Sequence, residues 1–167
     1  SVGGVVSVVG RSGFRYDRNG DEAIFWGNTP VMEKESNGLQ EAYDRIAEEL
    51  NIPVLKMHYV PAEMKFREIS FDDKRAILKF DYNGYIIRLV EIGDIVTMDN
   101  RHVSDREYFD EEYFRRLGAP VSFSKNELAE GKTEYSAEIM RTDAYYYISG
   151  IMEEDVLRNI VEQMYFD

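Results

Sequence analysis

The chain has 167 residues, of which 44% are hydrophobic and 31% charged, a balance typical of one folded domain rather than of a disordered chain. The formal net charge is −12 and no cluster of cations is present, so we expect no direct binding to nucleic acid or to acidic lipid. The absence of cysteine excludes disulfides, thiolate nucleophiles and cysteine-based metal sites.

The sequence predicts one α+β domain over residues 1–167, in which residues 1–36 form an N-terminal region distinct from the rest. Its Val/Gly-rich apolar stretch, residues 2–9, is far shorter than the roughly 20 residues that span a bilayer. The run of residues 17–21 predicts a turn in a hairpin. It has alternating oxygen ligands like a calcium loop but lacks the Gly and Glu that such a loop needs at its sixth and twelfth positions.

A helix is predicted next, because apolar residues recur at helical spacing between residues 39 and 50. Asn37 is the expected N-cap, with Gln40 reaching back to it. Asn51 and Pro53 are expected to end the helix. The residues of the apolar stripe are Leu39, Ala42, Tyr43, Ile46, Ala47 and Leu50.

Three antiparallel strands are predicted over residues 65–71, 75–82 and 85–92. Asn83 and Gly84 between the last two supply the positive φ values of a type I′ hairpin turn. In the second strand, Ile77 and Lys79 face one side and the four residues that alternate with them face the other. Those four are Ala76, Leu78, Phe80 and Tyr82.

The segment 104–117 reads as a helix, with Ser104 and Glu107 as a capping box and three apolar side chains on one face, namely Phe109, Tyr113 and Leu117. Strands are predicted over 121–124, 135–141 and 145–149, with a turn at 142–144. A final helix is expected to start near Glu153. The expected fold is therefore an antiparallel sheet of about five to seven strands, with helices packed on one face and a C-terminal helix.

No pattern of catalytic, cofactor or metal-binding residues emerges. His58 and His102 lie in different elements without a metal-binding spacing, and neither nucleophile elbows nor phosphate-binding glycine loops are present. The acidic run within residues 105–112 reads as a solvated face rather than as a cation site. We therefore expect no enzyme activity and no cofactor, with a carboxylate-based hydrolase as a distant alternative.

Tyrosines are the most distinctive side chains. On a strand, Tyr145 and Tyr147 share one face and Tyr146 takes the other. Tyr145, Tyr147 and Tyr82 are candidates for contact with a ligand or partner, since tyrosine combines an apolar ring with a polar tip. The same properties suit the margin of a core, and the sequence leaves both interpretations open.

The segment 134–150, EYSAEIMRTDAYYYISG, resembles the C-terminal signature of a bacterial family of unknown function. In that family a strand with an "aei" core precedes a "yY.lsG" strand and a closing helix. Residues 52–54 and 59–64 are similar to the family's "iP…yiPeGm" opening, so that the resemblance covers residues 52–167. Two features depart from the pattern, namely Met152, where the family tends to place Ser or Thr, and the acidic-aromatic insert at 99–117.

The family's domain forms the extracytoplasmic C-terminal part of single-pass, anti-sigma-factor-like membrane proteins. The resemblance implies a non-catalytic sensing or interaction domain outside the cell membrane, held there by an anchor upstream of Ser1, with a protein partner. The alternative is a soluble module that binds a lipid, peptide or glycan on a concave tyrosine-rich face of the sheet.

Overall fold

A computed structural model describes residues 29–94 and 106–167, with side chains described from Gly38 onward. The chain divides into two compact units, Ser1–Asn37 and Gly38–Asp167. Of the first unit, only the beginning of a helix is described. The predicted hairpin and turn within residues 1–28, together with His102 and Ser104, lie outside the described residues. The single-domain interpretation stays a prediction.

Helix α1 spans Thr29–Leu50, so the prediction that it begins after a cap at Asn37 is wrong. The start is extended because Pro30 suits the first turn, where its missing N–H needs no partner, and residues 32–35 are good helix formers. The predicted end is confirmed. Asn51 adopts a φ of 54° and donates its backbone N–H to Ala47 O at 3.2 Å.

Nine strands and a second helix follow in the described residues. The elements are β1 (Leu55–Met57), β2 (Met64–Asp72), β3 (Arg75–Tyr82), β4 (Tyr85–Gly93), β5 (Glu107–Phe114), β6 (Ala119–Glu127), β7 (Thr133–Met140), β8 (Ala144–Ile151), α2 (Glu154–Glu162) and β9 (Met164–Phe166). Strands β2 to β8 form a seven-stranded antiparallel sheet in the order β2-β3-β4-β8-β7-β6-β5, and β1 pairs with β9 in a separate two-stranded sheet. The sequence-based expectation of an antiparallel α+β fold is thus confirmed.

The predicted tight turn between β3 and β4 is confirmed. Asn83 and Gly84 have φ values of 49° and 84°, and Tyr82 pairs with Tyr85 across the hairpin. Two positive φ values in succession define the type I′ turn, whose twist matches that of the strands. This turn therefore sets the register in which the apolar positions of β3 face those of β4.

The helix predicted over 104–117 is wrong, because residues Glu107–Phe114 form strand β5. Its tyrosines and phenylalanines favour strands, and pairing with β6 satisfies the backbone groups along one of its sides. The apparent helical spacing of Phe109, Tyr113 and Leu117 arises from a strand with a register shift between Tyr108 and Asp110, followed by a turn. A β-bulge of this kind changes which residues share a face.

Cross-strand pairing defines two faces of the large sheet. The first face carries the row Leu78, Leu89, Ile148, Ala137 and Phe123, and the second face carries the row Ile77, Val90, Tyr147, Glu138 and Ser122. First-face side chains share one large core cluster with residues of α1, α2 and β1. A smaller cluster of Val90, Ile92 and Tyr145 belongs to the second face.

Candidate functional site

The three candidate tyrosines do not lie together. Tyr145 and Tyr147 share the second face, with ring centroids 5.9 Å apart. Tyr82 belongs to the main core cluster and follows the first-face positions of β3. Tyr145 is only 2% exposed, and Tyr147 is half-buried. Burial raises the pKa of both phenols, so the two hydroxyls stay neutral and act as hydrogen-bonding groups.

A polar band crosses the second face beside this tyrosine pair. It follows the row Arg88, Ser149, Ser136, Ser124 and Tyr108. The three serines are buried. Their hydroxyl groups occupy neighbouring positions of adjacent strands. They can form hydrogen bonds on the second face while taking up little space there.

Arg106 and Tyr108 form side-chain contacts with three residues of β7. Arg106 donates a hydrogen bond to Ser136 Oγ and lies 3.5 Å from Glu134 Oε1, with its side chain only 11% exposed. Tyr108 donates from its hydroxyl to Glu138 Oε2 at 2.6 Å. These bonds tie the start of β5 to β7 two strands away, so they hold the edge strand against the sheet.

Strand β5 is one of the two edge strands of the described sheet, and nearly all of it is exposed. All of its residues except Phe114 are exposed, and among the described residues it pairs only with β6. Tyr108, Phe109 and Tyr113 are exposed by 47%, 36% and 62%. Acidic residues alternate with these rings at Glu107, Asp110, Glu111 and Glu112. The edge therefore presents aromatic area, negative charge and unpaired backbone groups together.

Phe109, at the bulge, anchors this strand. Its ring lies 6.4 Å from the ring of Phe123 and 6.1 Å, edge to face, from that of Tyr135. Aromatic pairs at such distances stabilise a fold beyond the area they bury. Phe109 thus holds β5 in place and leaves Tyr113 as the most exposed ring of the strand.

Arg158 of α2 forms an ion-pair cluster with the same strand. Its guanidinium donates to Asp110 Oδ2 at 2.6 Å and to Glu112 Oε1 at 3.0 Å, and also to Glu154 Oε2 at 2.9 Å. It stacks on the ring of Phe123, 4.3 Å from the centroid. The hydrogen bond from Arg158 lowers the pKa of Asp110. Sequence reasoning missed this cluster because it joins positions 48 and 46 residues apart.

Glu91 is a buried carboxyl group that sequence reasoning also passed over. It is fully buried, and its Oε1 accepts the backbone N–H of Leu55 at 2.9 Å. Burial raises the pKa of Glu91 from 4.5 to about 8, although the Leu55 N–H and the charge of Lys56 oppose the change. The alternation in β4, which puts Glu91 on the same face as Ile87 and Leu89, was the signal that could have revealed it.

One of the two histidines lies within the described residues. His58 is exposed. Within residues 29–94 and 106–167, no group of three or more acidic or histidine side chains is arranged to hold a metal ion. Neither helix in this part of the chain has the length and apolar character of a membrane span.

Comparisons with known proteins bring no further information on this surface. No protein-family model matches the chain, no curated protein matches it, and no solved structure matches it. The resemblance drawn from residues 134–150 therefore stays a prediction.

Proposed function

We propose that this chain is a non-catalytic interaction domain that contacts a protein partner through β5. The observation that carries the proposal is the exposure of this edge strand along nearly its whole length, including a tyrosine at 62% exposure. Exposed edges with large apolar side chains are costly to maintain, because they invite unwanted pairing. A binding role gives a physical reason for keeping one.

The arrangement of the core supports this use of the edge. Buried residues of α1 and α2 share one cluster with the first-face positions of the sheet, which supports the expectation that both helices pack on that face. The ion pairs of Arg158 and the ring contacts of Phe109 hold β5 in place, and all of its residues except Phe114 stay exposed. A rigidly held strand loses less conformational freedom on binding than a mobile loop does.

The interaction is tested by photo-crosslinking in cells that make the protein. A benzophenone amino acid replaces Tyr113, and a matched control carries it at Glu48, which is exposed on α1. We expect a discrete crosslinked species from position 113 and none from position 48. Equal crosslinking at both positions, or none at 113, would remove the support for a partner at β5.

We further propose that the domain lies outside the cell membrane, attached to an anchor, as the resemblance of residues 134–150 implies. Membrane fractionation and protease protection of the protein in intact cells test this location. Cleavage from outside together with recovery in the membrane fraction is expected. A protein that stays protected inside intact cells would contradict the location and leave the β5 surface as a separate question.

A second candidate function is the binding of a small ligand on the second face. It is favoured by the neighbouring rings of Tyr145 and Tyr147, which lie beside the polar band, and by Arg106, which contacts that band through Ser136. A ligand that binds only the folded state raises the melting temperature. Thermal shifts against lipids, glycans and peptides test this function, and unchanged melting across a broad panel would speak against it.

A further inference from the structure

We propose that the partner, whose existence rests on the proposed function, binds by adding a basic, extended segment as an additional strand to β5. Within the described residues β5 stands at the end of the strand order, with β6 as its one neighbour. An edge strand offers backbone N–H and C=O groups that an extended peptide can pair with. The main chain supplies affinity in this mode, and side chains opposite each other supply specificity.

The charges of β5 select the chemistry of the added strand. Arg158 already forms ion pairs with Asp110 and Glu112. The ion pairs of the described residues include neither Glu107 nor Glu111, and both are exposed. Glu111 lies on the second face, whereas Glu107 lies on the first face opposite Lys125. Opposite charges across paired strands stabilise the pairing. A segment with Lys or Arg opposite Glu111 therefore fits the edge, and Glu107 adds negative charge nearby.

The exposed tyrosine rings of β5 also favour Lys and Arg on the added strand. Tyr108, Glu111 and Tyr113 pair with Ser124, Ser122 and Pro120, respectively, which places them on the second face. The aliphatic stems of Lys and Arg cover apolar rings, and their charged ends interact with ring faces. A cation opposite Glu111 would thus lie close to the ring of Tyr113, which occupies the next position on the same face of β5.

A second copy of this chain fits the edge less well. Antiparallel pairing of two β5 strands about Glu111 would set Glu111 against its own counterpart and Asp110 against Glu112. Like charges directly opposite each other destabilise a strand pair. The overall charge of −12 adds repulsion between copies. The preferred occupant is therefore a basic segment of another protein.

The test is an NMR titration of the isotope-labelled 167-residue chain with three synthetic peptides. The first alternates Lys and Val, the second alternates Glu and Val, and the third is the Lys-Val peptide with alternate backbone nitrogens methylated. We expect saturable shifts of the β5 amides with the first peptide alone. N-methylation removes the hydrogen-bond donors of one strand edge and keeps the charge, so it separates strand addition from simple attraction.

A charge-reversal pair localises the binding. The variant Glu107→Lys/Glu111→Lys should bind the Lys-Val peptide roughly three- to tenfold more weakly than the native chain. The matched control Glu41→Lys/Glu48→Lys changes net charge by the same amount at exposed positions of α1 and should bind as the native chain does. Equal weakening in both variants would mean that overall charge, rather than this edge, attracts the peptide.

Three further outcomes would overturn the strand-addition mode. They are undiminished binding of the N-methylated peptide, cross-strand contacts from β5 to a second copy, and cross-strand contacts from β5 to another segment of the same chain. Crosslinking at position 113 distinguishes a failure of the strand-addition mode from a failure of the proposed partner at β5. Crosslinks without peptide binding would retain a partner at β5 and reject a basic strand as its form, whereas the absence of crosslinks would reject both.

Discussion

Glu91 places an ionisable group where water does not reach. The folded state favours its protonated form, because burial raises its pKa to about 8. In the unfolded chain the same carboxyl ionises near 4.5. Between these two pKa values the folded state binds more protons than the unfolded state, so Glu91 contributes stability at low pH that is lost as pH rises.

Replacing this carboxyl by an amide should remove that pH dependence. Glu91→Gln keeps an oxygen that can accept the Leu55 N–H, and it cannot ionise. The free energy of unfolding of the variant minus that of the native chain should increase by up to about 1.4 kcal/mol per pH unit between the two pKa values and level off above them. Urea unfolding at several pH values measures this difference.

The control for this prediction is Glu48→Gln, at an exposed position of α1. Its difference from the native chain should not vary over the same range of pH. A flat difference for Glu91→Gln as well would mean that the carboxyl is already ionised in the folded state at neutral pH.

Gly150 is needed for close packing between β8 and β4. A Cβ atom at this position would lie 2.7 Å from Ile87 Cγ1 and 3.1 Å from Ile87 Cα, and a backbone atom cannot move aside cheaply. Gly150→Ala should therefore destabilise the domain by about 1–3 kcal/mol. This contact also gives a physical reason for the glycine near the end of the tyrosine-rich strand.

The same substitution at Gly38 is the matched control. There a Cβ would make an ordinary contact, 3.6 Å from the Phe66 ring, inside helix α1. Gly38→Ala should stabilise the protein by up to about 1 kcal/mol, because alanine favours helix more than glycine does. Equal effects of the two variants in urea unfolding would contradict the packing argument.

At the scale of elements, Arg158 is the link between helix α2 and strand β5. Arg158→Ala removes the hydrogen bonds to Asp110 and Glu112 and the contact with the Phe123 ring. We expect hydrogen exchange of the β5 amides to become severalfold faster and that of central strand β8 to stay unchanged, since edge elements open locally. Arg45→Ala breaks an exposed i,i+4 pair on α1 and a contact with the Phe71 ring of β2. It should leave both β5 and β8 unchanged.

Elements with a one-sided apolar pattern could be predicted from the sequence. In β3, alternation shows the buried face directly, and Asn83-Gly84 fixes the turn into β4. In α2, Leu157, Ile160 and Val161 mark the buried side. These patterns are local consequences of burial, so one chain segment contains the whole signal.

Strand β5 shows where this reasoning stops. It is exposed on both faces, so no alternation marks it as a strand, and its bulge moves the aromatic residues out of strict period two. Short β1 and β9 were missed for another reason. They pair Leu55–Met57 with Met164–Phe166, and pairing between such distant segments leaves no local pattern.

The candidate site was predictable only in part for the same reasons. Tyr145 and Tyr147 lie on one face, as their spacing on a strand requires. Tyr82 is separated from them, although it too lies in a strand, because its register places it among the first-face residues of the core. The exposed surface of β5 depends on its position at the end of the strand order, which no local feature of the sequence reveals.

At the scale of the whole molecule, two antiparallel strand series meet at one central pairing. One series is β2-β3-β4, the other is β8-β7-β6-β5, and β4 joins β8. This pairing is antiparallel and sets Val90 against Tyr147 and Glu91 against Tyr146. It leaves β2 and β5 as the outer strands of the described sheet, so the acidic side chains of β5 occupy a position that governs contacts between molecules.

Removing the charge of this edge should therefore promote association between copies. The variant Glu107→Gln/Glu111→Gln keeps the shape of both side chains and lowers the negative charge of the edge, including that of Glu111, which would face its own counterpart when two β5 strands pair. Sedimentation velocity should show faster-sedimenting species than in the native chain at equal concentration. The control Glu41→Gln/Glu48→Gln removes equal charge from α1 and should sediment like the native chain. If both variants associate equally, net charge alone keeps the copies apart; if neither does, the bulge and the ring of Phe109, rather than the glutamates, protect the edge.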